Sequence, residues 1–361
     1  MPYPPSHPFK AGLHECAHPV SLNALTALTS FVLLVLSPLS SRAAEPNPLM
    51  ETPWTEMVPG ERLAPPSVRG AKPSQGSPGK SRDQQALDDA NMVLEFNPRD
   101  VTSLLQRANA YAHLGQPEKA DADLDKGLAI APDNSLLLNA RGLALARKKK
   151  FEPALADFSK AIEVSPMYVA PRYNRGLVYA ATDRDDLAIA DFTKAIELES
   201  RDAESYFNRG IAYRRQNEEA KACADLTRAI DLNPGDADAL YQRALSQIAT
   251  GHYQEAIADL DRALDLAPEN PDAFYNRGIA KGRLDRLDEA IADYDKAIEI
   301  RPNDPDAYFN RANAKRLKGL SNAAIEDYKH FLVLAPADYK SFIEQAQKRI
   351  EELQRPQIRL R

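Results

Sequence analysis

The chain of 361 residues is poor in cysteine and in net positive charge, and each shortage closes off a class of function. Cys16 lies in a segment expected to be removed, which leaves Cys223 alone and excludes an intrachain disulfide in the mature protein. A formal net charge of −6 argues against non-specific binding of nucleic acid, which needs a basic face. Long apolar runs are missing too. The only strongly apolar stretch, LNALTALTSFVLLVL at 22–36, falls short of the ~20 residues of a confident membrane span. His113, His252 and His330 share neither a helix face nor metal-ligand spacing, and no phosphate loop, nucleophile elbow or Cys/His pairing is visible. These gaps point away from an enzyme: no catalytic residue, metal site or cofactor is expected.

What is present is a period. Pro98, Pro132, Pro166, Pro234, Pro268, Pro302 and Pro336 stand 34 residues apart or at multiples of it, and the one missing mark is Ser200. Starting a unit three residues after each mark gives seven: 101–134, 135–168, 169–202, 203–236, 237–270, 271–304 and 305–338. Column 8 of the unit is Gly or Ala, column 20 is alanine throughout (Ala120 to Ala324), column 24 is Leu, Phe or Tyr, and column 27 is small until Phe331. Apolar residues three and four apart make one stripe of a helix, so each unit reads as a helical hairpin, helix A then helix B. Glycine at column 8 is costly inside a helix, and close approach to the column-20 alanine is the expected reason. Asn134, Asp202, Asp236, Asn270 and Asp304 in column 34 are placed to cap the next helix, with Tyr168 as the exception. Ser200 is expected to loosen its turn and bend the array there.

The stretch FYNRGIAKGRLDRLDEAIADYDKAIEIRP at 274–302 shows the pattern best, and it resembles the tetratricopeptide repeat. The resemblance covers residues 85–355 and implies an all-α fold, a right-handed α-solenoid of helix-turn-helix repeats. Column 4 is never Trp, column 7 is arginine where the family has leucine, and column 11 drifts from tyrosine to Gln247, Lys281 and Lys315. The drift predicts a thinner aromatic core in the later units.

Two charged columns never vary. Column 7 is arginine (Arg107, Arg141, Arg175, Arg209, Arg243, Arg277, Arg311), and column 23 is aspartate (Asp123, Asp157, Asp191, Asp225, Asp259, Asp293, Asp327). Such regularity predicts ion pairs within or between hairpins, because packing contacts recur in every unit and ligand contacts seldom do.

The resemblance also implies that helix A lines a concave groove. Column 6 then presents Asn174, Asn208, Gln242, Asn276 and Asn310, with Tyr173, Phe207, Tyr241, Tyr275 and Phe309 beside them in column 5. A row of carboxamides can pair with the backbone of an extended peptide, and the aromatics add contact area, so these ten residues form the candidate peptide-binding set. A second account stays open, in which column 6 stabilises the hairpins. The family's clamp for chaperone C-terminal tails is not supported, since column 5 holds no lysine.

At the ends, 83–100 keeps the phase of a lone starting helix, and 339–361 reads as a capping helix with a basic tail. Residues 1–43 have the layout of a signal peptide with a cut after Ala43, or else an anchor to the inner membrane through 22–36. Residues 44–82 read as a disordered Pro-rich linker. The expectation is a non-catalytic scaffold that binds a protein or extended peptide, exported to the cell envelope. The alternative is a membrane-tethered array regulating or assembling an enzyme or secretion complex. The oligomeric state stays open.

Overall fold

The structure is a computed structural model that describes residues 81–337 and 339–355, so the expectations for 1–43 and 44–80 lie outside the described residues. The described residues form sixteen α-helices and no strand. The first is α1 (Arg82–Phe96), capped by Ser81, so the chain becomes helical at the last residue assigned to the linker. Seven hairpins follow. They are α2 (Val101–His113) with α3 (Pro117–Ile130), α4 (Ser135–Arg147) with α5 (Phe151–Val164), and α6 (Val169–Ala181) with α7 (Asp185–Leu198). Next come α8 (Ala203–Arg215) with α9 (Glu219–Leu232), and α10 (Ala237–Ala249) with α11 (Tyr253–Leu266). Then come α12 (Pro271–Arg283) with α13 (Leu287–Ile300), and α14 (Pro305–Leu317) with α15 (Ser321–Leu334). The last helix is α16 (Lys340–Gln354). No described helix is long and apolar enough to cross a membrane.

The turn inside each hairpin is the same seven times, and one column makes it so. Gly115, Lys149, Asp183, Asn217, Gly251, Asp285 and Gly319 all stand in column 15, and all have φ between 55° and 81°. Left-handed backbone costs an ordinary side chain about 1 kcal/mol or more, which accounts for Gly, Asn or Asp at six of the seven positions. Lys149 is the exception.

The turns between units depart from expectation twice. Asp202 makes no capping bond to the backbone and accepts from the Ser205 hydroxyl instead, whereas Asn134, Asp236, Asn270 and Asp304 cap as expected. Ser200 does not loosen its turn. Glu199 ends α7 at φ −135°, ψ 87°, beside −135°, 85° at Asn233 and −133°, 80° at Ser165, where proline follows. The closing bond from Glu199 N to Ala195 O is 2.8 Å, the same as at Asn233. The backbone bond therefore shapes the turn, and proline only restricts the unfolded chain. Ser200→Pro should stabilise the protein by about 0.4–1 kcal/mol, measured by urea denaturation. A loss would mean that this turn differs from its proline-bearing counterparts.

Packing corrects the reason for glycine in column 8. A Cβ built on Gly142 would lie 2.6 Å from Phe158, one on Gly176 2.8 Å from Phe192, and one on Gly278 2.7 Å from Tyr294. The obstacle is the column-24 side chain sixteen residues on, a ring in these three units and Leu226 at 2.9 Å opposite Gly210, and not the column-20 alanine side chain. The alanines of column 20 are buried in all seven units.

The arginine and aspartate columns meet as expected. Each column-7 guanidinium forks onto the column-23 carboxylate of its own hairpin, from Arg107 on Asp123 at 2.7 Å for both bonds to Arg311 on Asp327 at 2.9 and 2.6 Å. The third nitrogen reaches back to column 25 of the preceding unit. Arg175 Nη1 donates to Ser159 Oγ at 3.0 Å, Arg209 to Thr193 at 2.9 Å and Arg277 to Asp261 at 2.6 Å. One side chain thus closes its own hairpin and fastens it to the one before, a use suited to arginine's fixed fork. Column 11 completes the cluster. Tyr111, Tyr179 and Tyr213 lie about 6 Å beneath the arginine, and where lysine replaces tyrosine it joins the aspartate, Lys281 on Asp293 at 2.8 Å and Lys315 on Asp327 at 2.7 Å.

The expected thinning of the aromatic core does not hold at the end of the array. Phe309 packs on Phe331 (centroids 5.0 Å), Phe342 (5.4 Å) and Tyr328 (5.8 Å). Phe331 stands where the other units carry a small column-27 residue, and α16 supplies Phe342, Ala346 and Ile350 to cover it. That cover satisfies the array's need to close its last stacking face.

Candidate functional site

Consecutive A helices touch along the array, from α2 on α4 to α12 on α14, and among the described residues no consecutive pair of B helices packs as closely. Helices A therefore line the inner, concave side, and their columns 2, 5, 6, 9, 12 and 13 decide what that side offers.

The column-6 carboxamides turn inward. Asn174, Asn208, Asn276 and Asn310 are 2–4% exposed. Each donates to the column-5 side chain of the preceding unit: Asn174 to Asn139 Oδ1 at 2.9 Å, Asn208 to the Tyr173 hydroxyl at 3.0 Å, Asn276 to Tyr241 at 3.1 Å and Asn310 to Tyr275 at 2.7 Å. Asn208 and Asn276 also donate to the carbonyls of Glu204 and Asp272, one turn back. The geometry gives the row a structural task at the seam between units. A buried amide must find a partner, and the neighbour's hydroxyl supplies one.

The pairing explains which units carry asparagine. Where column 5 is Leu105, the next column 6 is Ala140; where it is Phe207, the next is Gln242. Neither Leu nor Phe can accept a hydrogen bond. Gln242 instead accepts from Arg214 in column 12 of the preceding unit. This link was missed because the columns were read straight down. Read along the diagonal, 35 residues apart, asparagine follows only Asn or Tyr, with Phe207 and Gln242 the one mixed pair, and that signal was present in the sequence.

The other candidates divide by exposure. Tyr275 and Phe309 are buried in their hairpins, whereas Tyr173, Phe207, Tyr241 and Gln242, in the three middle units, keep part of their surface outside. This half-exposed strip lies between edges of opposite charge. On one side are Glu204, which accepts from the Tyr173 hydroxyl at 2.9 Å, Asp238, and Asp272, held by Arg301 through two bonds of 2.9 Å. Burial, and then Asp236, push the Asp238 carboxyl above its usual range. On the other side are Arg147, Arg214 and Arg283, each held below the ordinary guanidinium range by burial. Cys223 is half-buried near Arg214, and burial raises its thiol, which makes it a poor nucleophile.

Comparison with known proteins agrees with this architecture. Models described as tetratricopeptide or TPR repeat match residues 101–134, 142–183, 170–202, 203–236, 241–305 and 293–326. Sperm-associated antigen 1 of Mus musculus is 43% identical over 51 residues, which is 14% of this chain and only 6% of that protein's length. Among solved structures, the APC/C hetero-tetramer Cut9–Hcn1 superposes with a TM-score of 0.51 at 19% identity, over 76% of this chain and 53% of that one. YrrB, described as a TPR protein with an unusual peptide-binding site, gives 0.48 at 24% identity over 51% and 95%. With its hairpins in register, stacked A helix on A helix and matched by repeat models over most of 101–326, the chain belongs to the tetratricopeptide repeat family.

Proposed function

We propose that this protein-interaction scaffold takes an extended peptide segment across the inner face of its middle units, without catalysis. The observation that carries this reading is the half-exposed strip of Tyr173, Phe207, Tyr241 and Gln242 between an acidic and a basic edge. Aromatic rings supply contact area at low entropic cost, and opposed edges of charge give a bound chain one preferred direction. A library of displayed peptides panned against the full chain tests it. Recovered peptides should bind at least tenfold more weakly to Phe207→Ala combined with Tyr241→Ala, the loss of two aromatic anchors. Enrichment of nothing, or binding indifferent to both substitutions, would count against the groove.

The location remains a proposal from residues 1–43: export to the periplasm or beyond, or an anchor through 22–36. Sequencing the N-terminus of the protein from its own cells separates them. A start near Ala44 supports export, and an intact Met1 supports a membrane-tethered array that regulates or assembles a partner enzyme or secretion complex.

A further inference from the structure

The two ends of the array are finished differently. At the C-terminal end, α16 covers the last stacking face with Phe342, Ala346 and Ile350 and leaves Lys340, Glu344, Lys348 and Glu351 exposed. At the N-terminal end, α1 packs on α2 as each helix B packs on the helix A of the next unit. Arg107 fixes the register. Its Nη1 donates to Asn91 Oδ1 at 3.0 Å, the same backward reach that ties Arg175 to Ser159. Asn91 stands in column 25, so α1 is the helix B of a unit that has no helix A among the described residues.

The surface that a helix A would cover lies open. Columns 20, 23 and 27 are buried in all seven complete units. In α1 the same columns are Ala86, Asp89 and Val93, and all three are exposed, Val93 by 46%. Asp89 accepts from Gln85 Nε2 at 2.8 Å and pairs with no cation among the described residues. Every other column-23 aspartate takes the arginine of its own helix A. Met92, exposed as well, adds apolar surface where the other units carry Lys, Arg or His. This end is an interior surface of the repeat left uncovered, with one carboxylate short of its arginine.

The same chain holds seven copies of this surface with the occupant seated, and they define what fits. The occupant is an antiparallel helix whose arginine forks onto the carboxylate, with a small residue next to it, as Arg243 and Ala244 stand opposite Asp259. Ala90 takes column 24, where the other units have Leu, Phe or Tyr, so the incoming helix needs no glycine opposite it. Two other occupants fit less well. The repeat register of this chain puts Pro73 at the place of the arginine, and proline interrupts a helix. A second copy would bring its own α1, which sets Asp83, Asp88, Asp89 and Glu95 against a single arginine, so acid would face acid.

We propose that the open face of α1 is an interaction surface for an amphipathic helix of a partner protein, one with arginine beside a small residue, which completes the first unit as its helix A. Asp89 receives the arginine, and Ala86 and Val93 receive the apolar stripe. The surface lies on α1 and does not rest on the peptide reading of the inner groove.

The test uses the full chain and, as probe, an end-capped peptide with the sequence of α10, ADALYQRALSQIA, beside the same peptide with methionine for arginine. The arginine peptide should bind. The methionine peptide should bind at least tenfold more weakly, and so should the arginine peptide to Asp89→Asn, the usual effect of losing a charge-assisted bond. Val93→Lys should weaken it as much by setting a like charge against the incoming arginine. Neither variant should melt earlier, because both side chains are exposed. Binding should be indifferent to Phe207→Ala combined with Tyr241→Ala, which separates this face from the groove. With Met92→p-benzoylphenylalanine, light should link the peptide to α1. Links to residues of the same chain before 81, or to a second copy, that the peptide does not displace would assign the face to those occupants and overturn the proposal. So would a peptide that fails to bind, or one that binds equally with methionine in place of arginine or to Asp89→Asn.

Discussion

Replacing Arg243 by Met should cost about 3–5 kcal/mol, the usual penalty for leaving a buried carboxylate without its partner. Asp259 is 4% exposed and accepts from Arg243 Nε at 2.7 Å and from Nη2 at 2.6 Å, and it has no second cation among the described residues. Its bond to Arg243 holds the guanidinium above its ordinary range against the burial that lowers it. The third bond, Nη1 to Thr227 at 3.0 Å, ties the hairpin to the one before, so the damage extends beyond one unit. In a linear array each unit leans only on its neighbours, so the loss should appear first as faster amide exchange in α9, α10 and α11. Two controls sharpen the result. Arg277→Met should cost less, because Lys281 still holds Asp293 at 2.8 Å. Adding Asp259→Leu to Arg243→Met should restore most of the stability by removing the stranded charge. Urea denaturation of the three variants decides it. A cost below about 1 kcal/mol for Arg243→Met would place these arginines outside the scaffold.

The scaffold was legible because it repeats. Arginine in column 7, aspartate in column 23 and alanine in column 20 face the same neighbours in every unit, so their invariance within one chain reports packing. The reach of Arg175 to Ser159 and of Arg277 to Asp261 was less visible, because column 25 holds Asn, Asp, Ser or Thr wherever another unit follows, and Lys329 in the last, and so looks variable. Any short side chain with an acceptor serves there. A missing ring at Ser200 suggested a bend, yet the backbone bonds from Glu199 N to Ala195 O and from Asp202 N to Glu199 O set the path without it. The glycine of column 8 answered to a partner in another column, the ring at column 24, and the asparagine of column 6 to one in another unit. Both errors share a cause. A column shows what recurs, and a contact between columns shows only when two are read together.

Converting Asn174, Asn208, Asn276 and Asn310 together to Ala should therefore destabilise the array strongly before it says anything about binding. Each substitution removes a hydrogen-bond donor from a group of the preceding unit: Asn139 Oδ1 and the hydroxyls of Tyr173, Tyr241 and Tyr275. Losing a bond to a buried polar group costs about 1–3 kcal/mol, and the four sites sit in four separate seams, so the losses should largely add. Against a domain stability of about 5–15 kcal/mol, the quadruple variant is expected to be partly unfolded at 37 °C. Lost capture of a partner by that variant would carry no information about the groove. The informative comparison is the paired change Tyr241→Phe with Asn276→Leu, which removes donor and acceptor together and imitates the apolar Leu105 and Ala140 seam. It should retain stability to within about 1 kcal/mol of the parent, because replacing both partners of a buried bond by apolar groups is nearly neutral. If the paired variant is instead as unstable as Asn276→Ala alone, the carboxamide does more at the seam than satisfy its neighbour's hydroxyl. If it is stable and its affinity for library peptides is unchanged, the asparagines belong to the stack, and recognition rests on the aromatic strip and the charged edges on either side of it.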